Sequence, residues 1–114
     1  MLYDESPTLN ELKEEIREWA KEKGWWDPEN RNPLELLMLI TTELAECAEA
    51  YRDGNKICKK LGMSMYSEAE EELADVIIRV LHMAAEFNMD IGGAVQAKMN
   101  YNQSREHRHG GKKY

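Results

Sequence analysis

Apolar side chains recur along this chain every three or four residues, the period of a helix with one buried face. No segment alternates convincingly in the manner of a strand. Leu9, Leu12, Ile16 and Trp19 share one such face. Thr8 followed by Glu11 forms a capping-box pattern that starts this first helix, and Gly24 stops it. Trp25, Trp26, Asp27, Pro28 and the stretch from Asn30 to Pro33 read as a loop. A second helix takes Asn32 as N-cap and Pro33 as its first residue, and runs to about Asp53, ahead of Gly54. Asn55 to Tyr66 is a connector with a basic cluster, Lys56, Lys59 and Lys60, and room for a short helical turn. Ser67 and Glu70 form a second capping box, opening a third helix that continues to about Asn88. A fourth follows Asp90 as N-cap and reaches roughly Ser104, its first turn weakened by Gly92 and Gly93. Arg105 to Tyr114 is basic and glycine-containing, and reads as a flexible tail. The expected fold is all-α: one domain over 1–114, a bundle of about four helices.

The two long helices differ in patterning. Leu34, Leu36, Leu37, Leu39, Ile40, Leu44, Ala45, Cys47 and Ala48 make the first half of the second helix apolar nearly all round, so it is expected to be buried. On the third helix, Glu68, Glu72, Asp75, Arg79, His82 and Glu86 form one narrow polar stripe. Taken alone, that stripe is a solvated face.

Length and composition set the outer limits. The chain has 114 residues, 42% hydrophobic and 32% charged, with a formal net charge of −7. This suits one modest core, completed by a partner subunit. It is too apolar for a disordered acidic chain. The acidic balance argues against nucleic acid and anionic membrane as partners, and no stretch has the length of a membrane span. Cys47 and Cys58 make no disulfide framework and no paired metal-ligand spacing. With no apolar run in the first ten residues, the expected location is cytoplasmic.

The carboxylates carry the candidate chemistry. Glu43 and Glu46 are three apart on the second helix, and Glu72 and Asp75 are three apart on the third, so each pair shares a face. Glu43 lies among apolar neighbours, where an uncompensated charge is costly. Two antiparallel helices side by side can aim all four acids into one space. Four carboxylates without Cys or His form a hard, all-oxygen site suited to Mg²⁺ or Mn²⁺. Such ions bridge phosphates and acidify a bound water.

The paired motifs Glu43-Leu-Ala-Glu46 and Glu72-Leu-Ala-Asp75, separated by 25 residues, resemble those of the MazG-like all-α nucleoside triphosphate pyrophosphohydrolases. The resemblance runs from about Pro33 to Lys112. It includes the ending Lys98-Met-Asn-Tyr101-Asn102-Gln-Ser-Arg105 and the run His109-Gly110-Gly111-Lys112. Where many members carry a second acid just before the first glutamate, this chain has Thr42. The resemblance implies Mg²⁺-dependent hydrolysis of a nucleoside triphosphate to a monophosphate and pyrophosphate, in nucleotide-pool sanitation or turnover. It implies a homodimer or a dimer of dimers. It makes Glu43, Glu46, Glu72 and Asp75 the metal ligands, with Glu43 and Glu46 the catalytic acids and Glu46 beside the attacking water. Two other readings share these features: hydrolysis of phosphoribosyl-ATP, and a non-catalytic helical module that binds a nucleotide or a partner.

Substrate contacts are expected elsewhere. Lys98, Asn102 and Arg105 share a face of the fourth helix and its end, where they can meet phosphates and sugar. Trp25 or Trp26 can stack on a base or plug the end of the bundle, and Lys112 can close over phosphates. Trp19 reads as core. His82 reads either as a substrate contact or as a histidine bonded to a nearby carboxylate.

Overall fold

The computed structural model describes residues 6–59 and 65–105. It has four α-helices, α1 (Leu9–Glu22), α2 (Pro33–Arg52), α3 (Glu68–Glu86) and α4 (Ile91–Ser104), with a 3₁₀ turn at Pro28–Asn30. The described residues form no strand beyond one isolated bridge, Ile57 to Ser67. The all-α expectation holds. Lys60, the run His109-Gly110-Gly111-Lys112 and the tail expected after Arg105 lie outside the described residues.

The helix starts are built from their own side chains. At α1 the Thr8 hydroxyl accepts the Glu11 N–H at 3.1 Å, and the Glu11 carboxylate accepts the Thr8 N–H at 2.8 Å. Ser67 and Glu70 repeat this exchange at α3. Asn32 accepts the Leu34 N–H at α2, and Asp90 accepts the Gly93 N–H at α4. Each bond satisfies an amide that the first turn leaves unpaired. At its other end α1 closes on Gly24 with φ +76°, as Trp25 N–H reaches Ala20 O and Gly24 N–H reaches Lys21 O. The Gly92-Gly93 pair has a packing reason. A Cβ at Gly93 would collide with the Asp90 carboxylate, and one at Gly92 would lie 3.0 Å from the Asn10 amide. Asn10 bonds both Asp90 and the Gly92 N–H, tying the start of α1 to the start of α4.

The central element is α3. It packs against α2 on one side and α1 on another, while α4 touches α1. The core is made mostly of small residues: Ala20, Cys47, Ala50, Ala69, Ala84 and Ala85, with Ile16 and Leu81. Small side chains let the helices approach closely, and they bury little area per residue.

Two expectations from patterning change. The first half of α2 is not buried within this chain, since only Glu43, Cys47 and Ala50 of this helix are. Leu34, Leu37, Met38 and Leu44 are exposed, Leu34 at 69%. The reason is that α2 packs on α3 through one face, with little from the other described elements against the rest. Conversely, the polar stripe of α3 is not its solvated face. Glu72, Asp75, Arg79 and His82 are half-buried and Glu86 is fully covered, while Leu73 and Ile77 face outward.

Glu86 is the strongest local tie. Its carboxylate accepts Arg31 Nε at 2.8 Å, Arg31 Nη2 at 2.9 Å and the Asp27 N–H at 3.0 Å. Arg31 Nη2 also donates to the Trp25 carbonyl at 2.7 Å. Together these pin the loop between α1 and α2 against α3. Burial pushes the Glu86 carboxyl up, but Arg31 and the Asp27 amide outweigh it and hold the group below its usual value. The folded group is therefore more acidic than in the unfolded chain, where it titrates near 4.3. Its stabilisation is in place above that pH and is lost as pH falls through the lower folded value. Glu86→Gln is expected to cost about 3 kcal/mol near neutral pH, because it removes the negative charge that compensates Arg31. Urea unfolding checks this. The gap from the parent protein should narrow below about pH 4, and a gap independent of pH would contradict the assignment.

Candidate functional site

The seam between α2 and α3 brings the paired acids together. Carboxylate oxygens of Glu43, Glu46 and Glu72 lie within 4.8 Å of one another. Those of Glu71, Glu72 and Asp75 form a second group with the same spacing, joined to the first through Glu72. All four acids read from the sequence thus belong to one connected cluster. The three-residue spacing on each helix places each pair on the seam, as helical geometry requires. Glu71 is an addition. It stands beside Glu72 and also accepts a weak bond from the buried Cys58 thiol, Sγ to Oε1 3.4 Å.

Crowding shapes the electrostatics. Burial, then the neighbouring Glu46, Glu71 and Asp75, push the Glu72 carboxyl up to about 7. Glu46 is raised chiefly by Glu43. Glu43 is lowered, because Arg79 donates Nε–H to its Oε1 at 2.8 Å. The other oxygens of Glu43 and Glu72, both Oε2, are buried without a hydrogen-bond partner. A buried oxygen in that state costs free energy unless something satisfies it. Charged, partly orphaned, all-oxygen donors fit a hard divalent cation such as Mg²⁺ or Mn²⁺. Thr42 takes no part in this, since its hydroxyl donates to Leu39 O within the helix at 2.6 Å.

A cleft of about 790 Å³ opens beside the cluster. Glu43, Asp75 and Arg79 line one part of it, and Trp19, Trp25, Asp27, Arg31 and His82 another. The Trp19 and Trp25 rings meet edge to face, with centroids 5.7 Å apart. Trp19, expected in the core, is half-buried and lines the cleft. Trp26 does not line it. That ring stacks on His82, 6.2 Å between centroids and 5° from parallel, under Arg17 and Lys21. Trp26 is thus packed between His82 and the cations of α1. His82 Nε2 lies 3.4 Å from Glu86 Oε2, out of line for a hydrogen bond.

Lys98, Asn102 and Arg105 are exposed on α4 and its end, and none lines the cleft. Lys98 and Arg105 instead lie over the Tyr101 ring, at 4.8 and 5.6 Å. Arg79, on the polar stripe of α3, joins the site without being among the residues expected there. Its signal was position: four residues after Asp75 and seven after Glu72, hence on the same face.

Curated proteins resemble the chain across most of its length. The dCTP pyrophosphatase 1 of Homo sapiens is 29% identical over 106 residues, that of Bos taurus 30% over 108, and that of Rattus norvegicus 28% over 106. Each alignment covers 90% of this chain. The chain spans 61–62% of the length of these relatives. No family model matches it. No helix of the described residues is long and apolar enough to cross a membrane.

The cluster yields a direct expectation. Mg²⁺ at a hundredfold excess over its dissociation constant should stabilise the fold by about 2.7 kcal/mol. For a domain this size that corresponds to a rise in melting temperature on the order of 10 °C. Glu72→Gln should remove most of the rise. A melting curve indifferent to Mg²⁺ and Mn²⁺ would rule out a metal centre at this seam.

Proposed function

We propose that the protein is a MazG-like nucleoside triphosphate pyrophosphohydrolase that uses Mg²⁺, or Mn²⁺ in its place. The observation that carries this reading is a cleft lined both by Glu43 and Asp75 of the carboxylate cluster and by Trp19 and Trp25. That arrangement suits a molecule with a phosphate chain at one end and a flat ring at the other. The similarity to proteins named dCTP pyrophosphatase 1 supports the same class of substrate.

In this reading Glu43, Glu46, Glu72 and Asp75 hold the metal, with Glu71 beside them. Mg²⁺ bound there supplies positive charge to the phosphate oxygens and lowers the pKa of a coordinated water. Glu46 is exposed and its carboxyl is raised above its usual value by Glu43, which makes it a stronger base than an isolated glutamate. It orients the attacking water and takes its proton. Water oxygen bonds to the α-phosphorus, the bridging oxygen between the α- and β-phosphates leaves, and the products are a monophosphate and pyrophosphate. Trp25, exposed and part of the cleft lining, stacks on the base, a contact worth roughly 1–3 kcal/mol.

The assay is incubation with a panel of nucleoside and deoxynucleoside triphosphates, dCTP first, plus phosphoribosyl-ATP, with Mg²⁺. Pyrophosphate and the matching monophosphate should appear together. Asp75→Asn and Glu43→Gln should lower kcat by at least a hundredfold while keeping the helical circular dichroism. Failure of every compound in the panel to yield pyrophosphate would reject the reading.

The fold also supports the expected pairing of copies. Leu34, Leu37, Met38 and Leu44 on α2 and Leu73 and Ile77 on α3 leave an apolar surface uncovered. Scattered exposed apolar residues are ordinary, but a run along two adjacent helices marks an association surface. Sedimentation should give a homodimer or a dimer of dimers. Leu37→Glu with Met38→Glu should shift it to monomer.

A further inference from the structure

We infer that Arg79 contacts the phosphate chain of the substrate, and that its ion pair with Glu43 is the resting position from which it does so. The inference rests on the pyrophosphohydrolase reading and adds to it a residue that binds the triphosphate.

Among the described residues, two arginines line the cleft, Arg31 and Arg79. Arg31 is committed: Nε and Nη2 are bound to Glu86, and Nη2 also to the Trp25 carbonyl. Its work is to hold the loop. Lys98 and Arg105, the cations expected to meet phosphate, are outside the cleft lining. Arg79 stands where the expected groups do not, bonded to Glu43 and lining the cleft with Glu43 and Asp75. Its side chain is 41% exposed. A guanidinium carries five N–H donors in a planar fork that matches two phosphate oxygens. Glu43 takes one of them, the Nε–H.

The bond to Glu43 gives Arg79 a second property. The carboxylate that holds it also belongs to the candidate metal cluster. Arg79 thus neutralises part of the crowded acid while the cleft is empty. A cation sharing Glu43 repels the guanidinium, and the phosphate chain supplies negative charge within reach. Arg79 then changes partner rather than losing one, and the polyanion is drawn to the acids by a positive group already there.

The test measures binding rather than turnover. The parent protein, Arg79→Gln and Arg79→Lys are titrated with an α,β-methylene deoxynucleoside triphosphate, whose CH₂ bridge blocks cleavage. The matching monophosphate is titrated in parallel. Tryptophan fluorescence gives both affinities in Mg²⁺, and Mn²⁺ affinity without nucleotide is read by electron paramagnetic resonance. Arg79→Gln should weaken the triphosphate analogue at least tenfold and the monophosphate by less than twofold. Mn²⁺ should bind as well or more tightly, since a competitor for Glu43 is gone. Arg79→Lys should fall between the two for the analogue. Equal losses on both nucleotides, or an unchanged analogue affinity with weakened Mn²⁺, would overturn the inference and leave Arg79 as a support for Glu43. Circular dichroism of both variants separates misfolding from either result. A parent protein that binds neither nucleotide would reject the pyrophosphohydrolase reading itself, and this inference with it.

Discussion

Like charges held in one place organise this molecule. Glu43 and Glu46 from α2 and Glu71, Glu72 and Asp75 from α3 meet at one seam. Isolated acids on a helix surface would turn into water. Here Cys47 of α2 packs against the Ala69 carbonyl of α3, and carboxylate oxygens of both helices lie within 4.8 Å of one another. The resulting repulsion shows in Glu72, whose carboxyl is driven up to about 7. It shows again in Arg79, drawn out of a stripe that would otherwise be solvated and bonded to Glu43. Two buried oxygens remain without partners. A fold optimised only for stability would replace such acids with apolar residues of similar size. Their retention at one wall of a cleft is the reason to assign the seam a binding role.

The rest of the fold holds that seam in position. Glu86 is on the same stripe of α3, but its environment is the opposite of Glu72's. Arg31 and the Asp27 amide satisfy it completely, so it is held in the low range while Glu72 is raised. Two glutamates four turns apart on one helix face are therefore separated in role by their neighbours alone. One anchors the tryptophan loop, and the other belongs to the cluster. The loop in turn sets the far wall of the cleft, because Trp25 lines it from the same segment that Arg31 pins.

What could be read from residues alone divides along sequence distance. Caps are local: Thr8 with Glu11, Ser67 with Glu70, Asn32 with Leu34 and Asp90 with Gly93 involve neighbours within three residues, and all four form. The paired acids were legible for the same reason, since a three-residue spacing places both on one face whatever the helix packs against. The rotation of each helix about its own axis was not legible. That rotation depends on which neighbour wins, and patterning on α2 was apolar in too many directions to choose. Hence Leu34 and Leu37, expected to be buried, face outward in the single chain, and the polar stripe of α3 faces inward. Arg79 with Glu43 and Arg31 with Glu86 are 36 and 55 residues apart. No local rule connects them. The stacking of Trp26 on His82, 56 residues further along, is likewise beyond any local rule.

The small core and the crowded seam are two sides of one constraint. Alanine-rich contacts allow α2 and α3 to approach closely enough for acids on both to share a space. The same contacts bury little apolar area, so the chain gains less from burial per residue than a leucine-rich bundle would. Two sources can supply the difference. One is the uncovered face of α2, whose leucines gain stability only against another surface. The other is a cation at the seam, which turns repulsion among five acids into attraction. Both lie outside the single polypeptide, and both bear on the cleft between α2 and α3. Closing the α2 face fixes that helix from behind, and filling the seam fixes it from the front. Glu43, one of only three buried residues on α2, is the residue on which the two effects meet.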